Sequence, residues 1–169
     1  FATTRGDDAQ DCSFGDYVAR MPGGQKDIYY LTADSVARAR SSPHLEALRA
    51  KGVEALLLTD RIDEWMVAHL GEFDGHTLHD AARGALDLDG LATADETVAA
   101  RATASDIEPV CQRLTAALGT RVAAVRASQR LADSPACLVR QEHEPGPQLR
   151  RLLESAGQVL PVLVPTLEI

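Results

Sequence analysis

Aromatic residues are scarce in this chain, 4% of 169 positions with one tryptophan, Trp65, and it holds only three cysteines and two methionines. Cys12, Cys111 and Cys137 show no CxxC spacing and leave one thiol over under any pairing. That excludes a disulfide framework and points to a reducing compartment. No uncharged apolar run approaches the roughly 18 residues of a membrane span, and no signal-peptide pattern opens the chain. Basic residues are outnumbered, 17 Lys and Arg against 25 Asp and Glu, for a formal charge of −8. Nucleic acid and anionic membranes are therefore excluded as main partners. Also missing are GxGxxG, the Walker sequence, GxSxG and HExxH.

What remains is ordinary globular composition, 45% hydrophobic and 25% charged. The length permits one domain or two small ones. The chain starts at Phe1 and stops at Ile169 inside a strand-like run, so both ends read as cut from something longer. After an acidic opening (Asp7, Asp8, Asp11), Ser13 and Asp16 form a capping-box pattern for a short helix carrying Tyr17, Val18 and Met21, which Pro22-Gly23-Gly24 ends. Ile28–Leu31 and Val53–Leu58 are apolar runs joined by a helix that begins at Ser42-Pro43 and ends at Gly52. This is a βαβ unit, expected to be parallel with a right-handed crossover. Asp60 is expected to cap a further helix with Asp63 and Glu64 in its first turn. Ile62, Trp65, Met66 and His69 or Leu70 would form the face that packs on the sheet.

From Gly84 to Ser105 the residues turn small and acidic (Asp87, Asp89, Asp95, Glu96), the composition of an interdomain connector, partly helical. Ser105-Asp106-Ile107-Glu108 resembles a capping box for a new helix up to Gly119, with Pro109 complicating its first turn. Val122–Ser128 and Ala136–Val139 read as strands and Pro147–Ala156 as a helix. Val162–Ile169 reads as a last strand, which Pro165 assigns to an edge or bulge. The fold class is thus α/β followed by α+β: a small three-layer subdomain with a short parallel sheet over 1–83, a connector over 84–105, and a partial α+β domain over 106–169.

The run Ile28-Tyr29-Tyr30-Leu31-Thr32-Ala33-Asp34-Ser35, with Ser41-Ser42-Pro43-His44-Leu45-Glu46, Lys51 through Trp65, Glu72-Phe73-Asp74-Gly75 and Arg130 through Val139, resembles the ninety-kilodalton heat shock protein chaperones. The likeness is closest to their bacterial HtpG branch. It implies that 1–83 is the distal part of the family's middle domain and 106–169 the start of its C-terminal domain. The ATP-binding domain would then lie upstream and the dimerisation helices downstream. The resemblance further implies a cytoplasmic chaperone that binds partly folded client proteins during stress. ATP and magnesium would serve the whole protein, a homodimer, while this stretch would hold no cofactor and be no enzyme by itself.

Individual residues carry two readings. By periodicity Trp65 belongs to the core; by resemblance the tryptophan of Ile62-Asp63-Glu64-Trp65 contacts clients, a task suited to a large amphipathic ring. Leu149, Leu152, Leu153 and Ala156 make an apolar stripe opposite Arg150, Arg151 and Glu154. Such a stripe ordinarily docks on its own sheet, yet the matching helix of the family is mobile and client-binding. Pro145 and Pro147 depart from the family's pattern and shorten that helix. His76 and His79 near Asp74 and Asp80 lack the further ligands a metal needs, Cys111 and Cys137 read as small core hydrophobes, and Asp60, Asp63 and Glu64 as helix-start residues rather than an acid/base set. A competing expectation is a stand-alone small-molecule module, with its ligand at the strand ends Thr32-Ala33-Asp34 and Thr59-Asp60-Arg61.

Overall fold

A computed structural model describes residues 1–6, 9–86, 88, 94–142, 144–161 and 163–169, with backbone alone over 94–105. Asp7, Asp8, Asp87, Asp89 and the expected strand start at Val162 lie outside the described residues, as do the side chains of Asp95 and Glu96.

The first sheet is built on Ile28–Thr32 (β2), buried at every position. It pairs in parallel with Leu56–Leu58 (β3), Tyr30 opposite Leu56, and with His76–Asp80 (β5), Tyr30 opposite Asp80. Ala2–Thr3 (β1) and Glu72–Phe73 (β4) close the edges antiparallel, giving the order β1-β3-β2-β5-β4. Strand alternation splits the core in two. Tyr29, Leu31 and Leu57 face Ala39, Leu45, Ala47 and Leu48, on one side. Ile28, Tyr30, Leu56 and Leu58 face Tyr17 and Val67 on the other. The three-layer α/β expectation therefore holds.

The helices follow their caps. Ser13 and Asp16 complete a capping box for Phe14–Ala19 (α1). Tyr17 of that helix donates to Glu54 O at 2.6 Å and accepts from Gln25 Nε2 at 2.9 Å. The βαβ connection is more broken than its sequence suggests: Ser35 caps Val36–Arg40 (α2), Ser42 caps a 3-10 turn at Pro43–Leu45, and Glu46–Ala50 (α3) follows. Asp74 (φ 51°) and Gly75 (φ 78°) join β4 to β5; positive φ at both central residues defines the type I′ hairpin turn that Asp-Gly favours.

Four expectations are corrected. Asp63–Leu70 (α4) buries Asp63, Glu64 and Val67 and leaves Ile62, Trp65 and Leu70 exposed, so the expected packing face is largely the outer one. Its start is fixed by Asp63, whose carboxylate accepts from the Asp60 N–H at 2.9 Å, rather than by the Asp60 side chain. Next, Ala94–Leu118 (α5) is one helix with Pro109 inside it, so Ser105 starts nothing, while the helical stretch within 84–105 agrees with the expectation of a partly helical segment. Last, Thr166–Glu168 (β8) is the central strand of the second sheet, parallel to Val125–Arg126 (β6) and antiparallel to Cys137–Val139 (β7). Pro165 stands just before β8, where its missing N–H disturbs no ladder.

The second sheet is joined to the first by backbone and by charge. Arg140 N donates to Ala82 O at 3.0 Å and Gly84 N to Arg140 O at 3.1 Å. Arg130, 1% exposed, donates from Nε to Glu168 at 2.8 Å, from one terminal nitrogen to Ala81 O, and from the other to Gly84 O at 2.6 Å. Glu46, at the start of α3, accepts from the backbone N–H groups of Ala132, Asp133 and Ser134. A buried arginine and one well-placed carboxylate thus fix the loop before β7 onto the first sheet.

Candidate functional site

Helix Pro147–Ser155 (α6) is strongly amphipathic, begins with proline at its first turn, and is followed by Gly157 at φ 82°. None of its residues is buried. Leu149 and Leu153 are half-buried while Leu152 is 52% exposed, an unusual state for the apolar stripe of an amphipathic helix. The helix lies beside α4. Glu64, itself 3% exposed, accepts from the N–H groups of Leu149 at 2.7 Å and Gln148 at 3.3 Å, and Gln148 Nε2 donates to Ala33 O at 3.3 Å. Arg151 adds a looser ion pair to Asp34 at 3.8 Å.

On the side of α4 turned away from the core, Trp65 is 42% exposed. Its ring stacks on His69 with centroids 5.4 Å apart and an interplanar angle of 19°, and His69 Nδ1 sits 2.7 Å from Trp65 O. The local contact holds the indole in one orientation without covering it. Ile62, one turn earlier, is 70% exposed, so Ile62 and Trp65 form an apolar outer stripe. An exposed apolar stripe on α4 and a half-covered one on the adjacent α6 are features a folded domain ordinarily hides.

The remaining candidate residues are engaged in structure. His76 and His79, three apart on β5, fall on opposite sides of the strand. His76 Nδ1 meets Lys26 O at 2.7 Å while His79 packs edge-on against Tyr29. No group of three metal-ligating side chains occurs among the described residues. All three cysteines are buried and free, and burial pushes the Cys137 thiol up to about 11. Burial also holds Asp63 above its ordinary value, while its carboxylate bonds the turn before α4.

Between α4, β2 and α6 lies a cleft of about 180 Å³, lined by residues including Tyr30, Glu64, Arg83, Glu144 and Leu149. It does not fit a magnesium-bound nucleoside triphosphate. The volume is below the roughly 300 Å³ at which ligand pockets begin, two carboxylates line it, and Arg83 is held by Asp80 at 2.8 Å. Of the two strand ends expected to hold a small molecule in the competing reading, Thr32-Ala33-Asp34 is occupied as well. Ala33 O is taken by Gln148, and Asp34 pairs with Arg38 at 3.2 Å. Sequence reasoning missed Arg130 and the link from Glu64 to α6. Neither carries a local pattern, since their partners lie 38 to 85 positions away. Among the described residues no helix is long and apolar enough to cross a membrane.

Comparison with known proteins gives a consistent result. The sequence profile of the Hsp90 protein family matches residues 1–159. The chaperone protein HtpG of Bordetella pertussis is 50% identical over 170 aligned positions, covering 100% of this chain and 27% of that protein. HtpG of Halorhodospira halophila is 51% identical over 94% of the chain and 25% of its own length. HtpG of Dechloromonas aromatica is 47% identical over the whole chain. The chain thus spans about a quarter of the length of the curated relatives it matches.

These matches correct the expectation that the chain is no enzyme. That expectation set the chain apart from the ATP-hydrolysing part of the family, whereas its whole length matches about 27% of the HtpG chaperone, a match that sets it apart from no part of that protein. The missing Walker and GxGxxG motifs exclude only the folds that use them, since backbone N–H groups of other loops also cradle phosphate. The exclusion of enzymatic activity is therefore withdrawn. With its profile match over 1–159 and about half of its residues shared with HtpG along its length, the chain belongs to the Hsp90 family of chaperones.

Proposed function

We propose that this chain holds partly folded client proteins on an apolar surface formed by Trp65 of α4 and by Leu149, Leu152 and Leu153 of α6. The carrying observation is the exposure of Trp65 and Leu152, 42% and 52%, on the neighbouring helices α4 and α6. A partly folded protein offers apolar side chains without fixed geometry. A few large exposed side chains within a surface of net charge −8 bind such chains weakly and tolerantly, while the charge opposes self-association. Trp65 is suited to the role because a stacked indole loses little conformational freedom on binding.

In this reading residues 1–83 are the distal part of a middle domain, 84–105 a connector and 106–169 the first part of a C-terminal domain. The whole protein is a cytoplasmic, stress-responsive homodimer using ATP and magnesium. The resemblance of Ile28–Ser35, Lys51–Trp65 and Arg130–Val139 to the family supports that placement. The test is fluorescence anisotropy with a labelled, destabilised model protein as client. Trp65→Ala and Leu152→Ser should each weaken binding about three- to tenfold, the range of a moderate interface residue. Unchanged affinity in both variants, with the fold intact by circular dichroism, refutes the proposal.

A further inference from the structure

Helix α6 lacks an N-terminal cap in its own sequence. Its N-cap residue is Gly146, which has no side chain, and no side-chain hydrogen bond comes from that position. The N–H of Leu149 donates instead to the Glu64 carboxylate at 2.7 Å and that of Gln148 at 3.3 Å, both across to α4. Gly146 leaves room for this arrangement, since a Cβ there would collide with the Glu64 carboxylate and push it aside. Burial completes the picture: Glu64 is 3% exposed, although α6 buries no residue of its own. The best-shielded polar contact of the helix is therefore a carboxylate supplied by another element, joined at the helix end where the dipole favours negative charge.

We infer that Glu64 is the positioning residue of α6: it caps the helix from outside and thereby holds the helix, with its partly exposed Leu149/Leu152/Leu153 stripe, beside α4, and loss of that carboxylate frees the helix from α4. The functional side of this inference rests on the client-binding reading above, but the structural side does not. Apart from Glu64, the polar ties of α6 to the first sheet's layer are Gln148 to Ala33 O and the 3.8 Å pair of Arg151 with Asp34. Both are weaker than a charge-assisted bond at 2.7 Å. The capping carboxylate also sits one residue before Trp65, so one short segment of α4 carries an exposed ring and sets where the neighbouring apolar helix lies.

Two readouts on the full chain test this. Nitroxides at His69→Cys and Ser155→Cys report the α4 to α6 distance, with the buried native cysteines left unlabelled. Amide hydrogen exchange reports the cap itself. Glu64→Ala should raise exchange at Leu149 about tenfold and broaden the label distance toward longer values, while exchange in β2 and β3 stays fixed. Gly146→Ala, which leaves the carboxylate in place but denies it room, should do the same. Adding Gly146→Asp to Glu64→Ala restores a local cap, and should recover the exchange protection of Leu149 while leaving the helices apart. Unchanged distance in both single variants overturns the inference, and so does a double variant that brings the helices back together, because the cap would then act only within α6. Unchanged client affinity despite a released helix contradicts the client-binding reading and leaves the positioning role standing.

Discussion

Replacing Arg130 with methionine tests whether the two sheets are held together by a buried guanidinium. The side chain is 1% exposed and donates to Glu168, Ala81 O and Gly84 O, so its loss removes three charge-assisted bonds at once. Removing one partner of a buried pair commonly costs about 3–5 kcal/mol, because the other charge is stranded. Glu168 is not stranded here, since Arg126 remains at 2.7 Å and Ser128 Oγ at 2.9 Å. Gly84 O likewise keeps a contact from Arg126 at 3.3 Å. What remains is chiefly the donor lost by Ala81 O and the weakened neutralisation of Glu168, partly offset by the apolar methionine stem. The net is about 3 kcal/mol. For a chain of this length that lowers Tm by roughly 6–12 °C. Urea unfolding followed by Trp65 fluorescence and by circular dichroism should show the midpoint falling with little change in slope. Arg126→Met, at a half-exposed partner of the same carboxylate, should cost under ~1 kcal/mol. A loss below about 1 kcal/mol for Arg130→Met, or equal losses for the two arginines, refutes the reasoning.

Acid titration separates the contributions of three groups. Burial, then the Arg130 charge, push His44 down to about 4 from 6.5, so between those values the unfolded chain binds the extra proton and stability falls as pH falls. His44→Phe should flatten the denaturation midpoint between pH 6.5 and 5; an unchanged slope contradicts the burial. Burial raises Glu168, but Arg130 and the bonds from Arg126 and Ser128 outweigh it and leave the carboxyl below 4.5; stability present above that value is lost as pH drops through the lowered one. Arg130→Met should shrink this acid limb. Glu46 is also left at about 2, burial being outweighed by Ser134 and the backbone N–H groups of 132–134. Glu46→Gln should cost about 1 kcal/mol after solvent screening and loosen the loop before β7, read as faster amide exchange at Asp133 and Ser134.

The layers were legible because their signals are local. Ile28–Leu31 and Leu56–Leu58 are apolar at successive positions because helices cover both sides of the sheet. Ser13, Ser42, Pro147 and Gly157 mark ends that the structure confirms, or shifts by a residue or two. Helix α4 defeated the same logic. Its apolar repeat from Ile62 to Leu70 points largely outward, and its buried face carries Asp63 and Glu64, which go under because each binds backbone N–H groups. Periodicity counts apolar residues and has no means of recognising a buried carboxylate with a partner. Trp65 could be read either way for that reason. Pro109 did not break α5: a proline inside a helix removes one backbone hydrogen bond at a cost of about 3 kcal/mol, and it kinks a helix as well as ending one, so its presence in the sequence does not fix a boundary. Arg130 carried no local signal at all: its partners are set by the docking of β8 and of residues 81–84.

The central claim is a location, and it is tested most directly by mapping bound client on the chain. Selectively labelled protein, with the Trp65 indole and the leucine methyls observed by NMR, is titrated with a destabilised, partly unfolded protein and with its folded parent. The account predicts that Trp65, Leu149, Leu152 and Leu153 shift and broaden together with the unfolded form and stay unmoved with the folded one. Perturbation confined to other leucines, such as the 53% exposed Leu138, or an equal response to the folded parent, would contradict it.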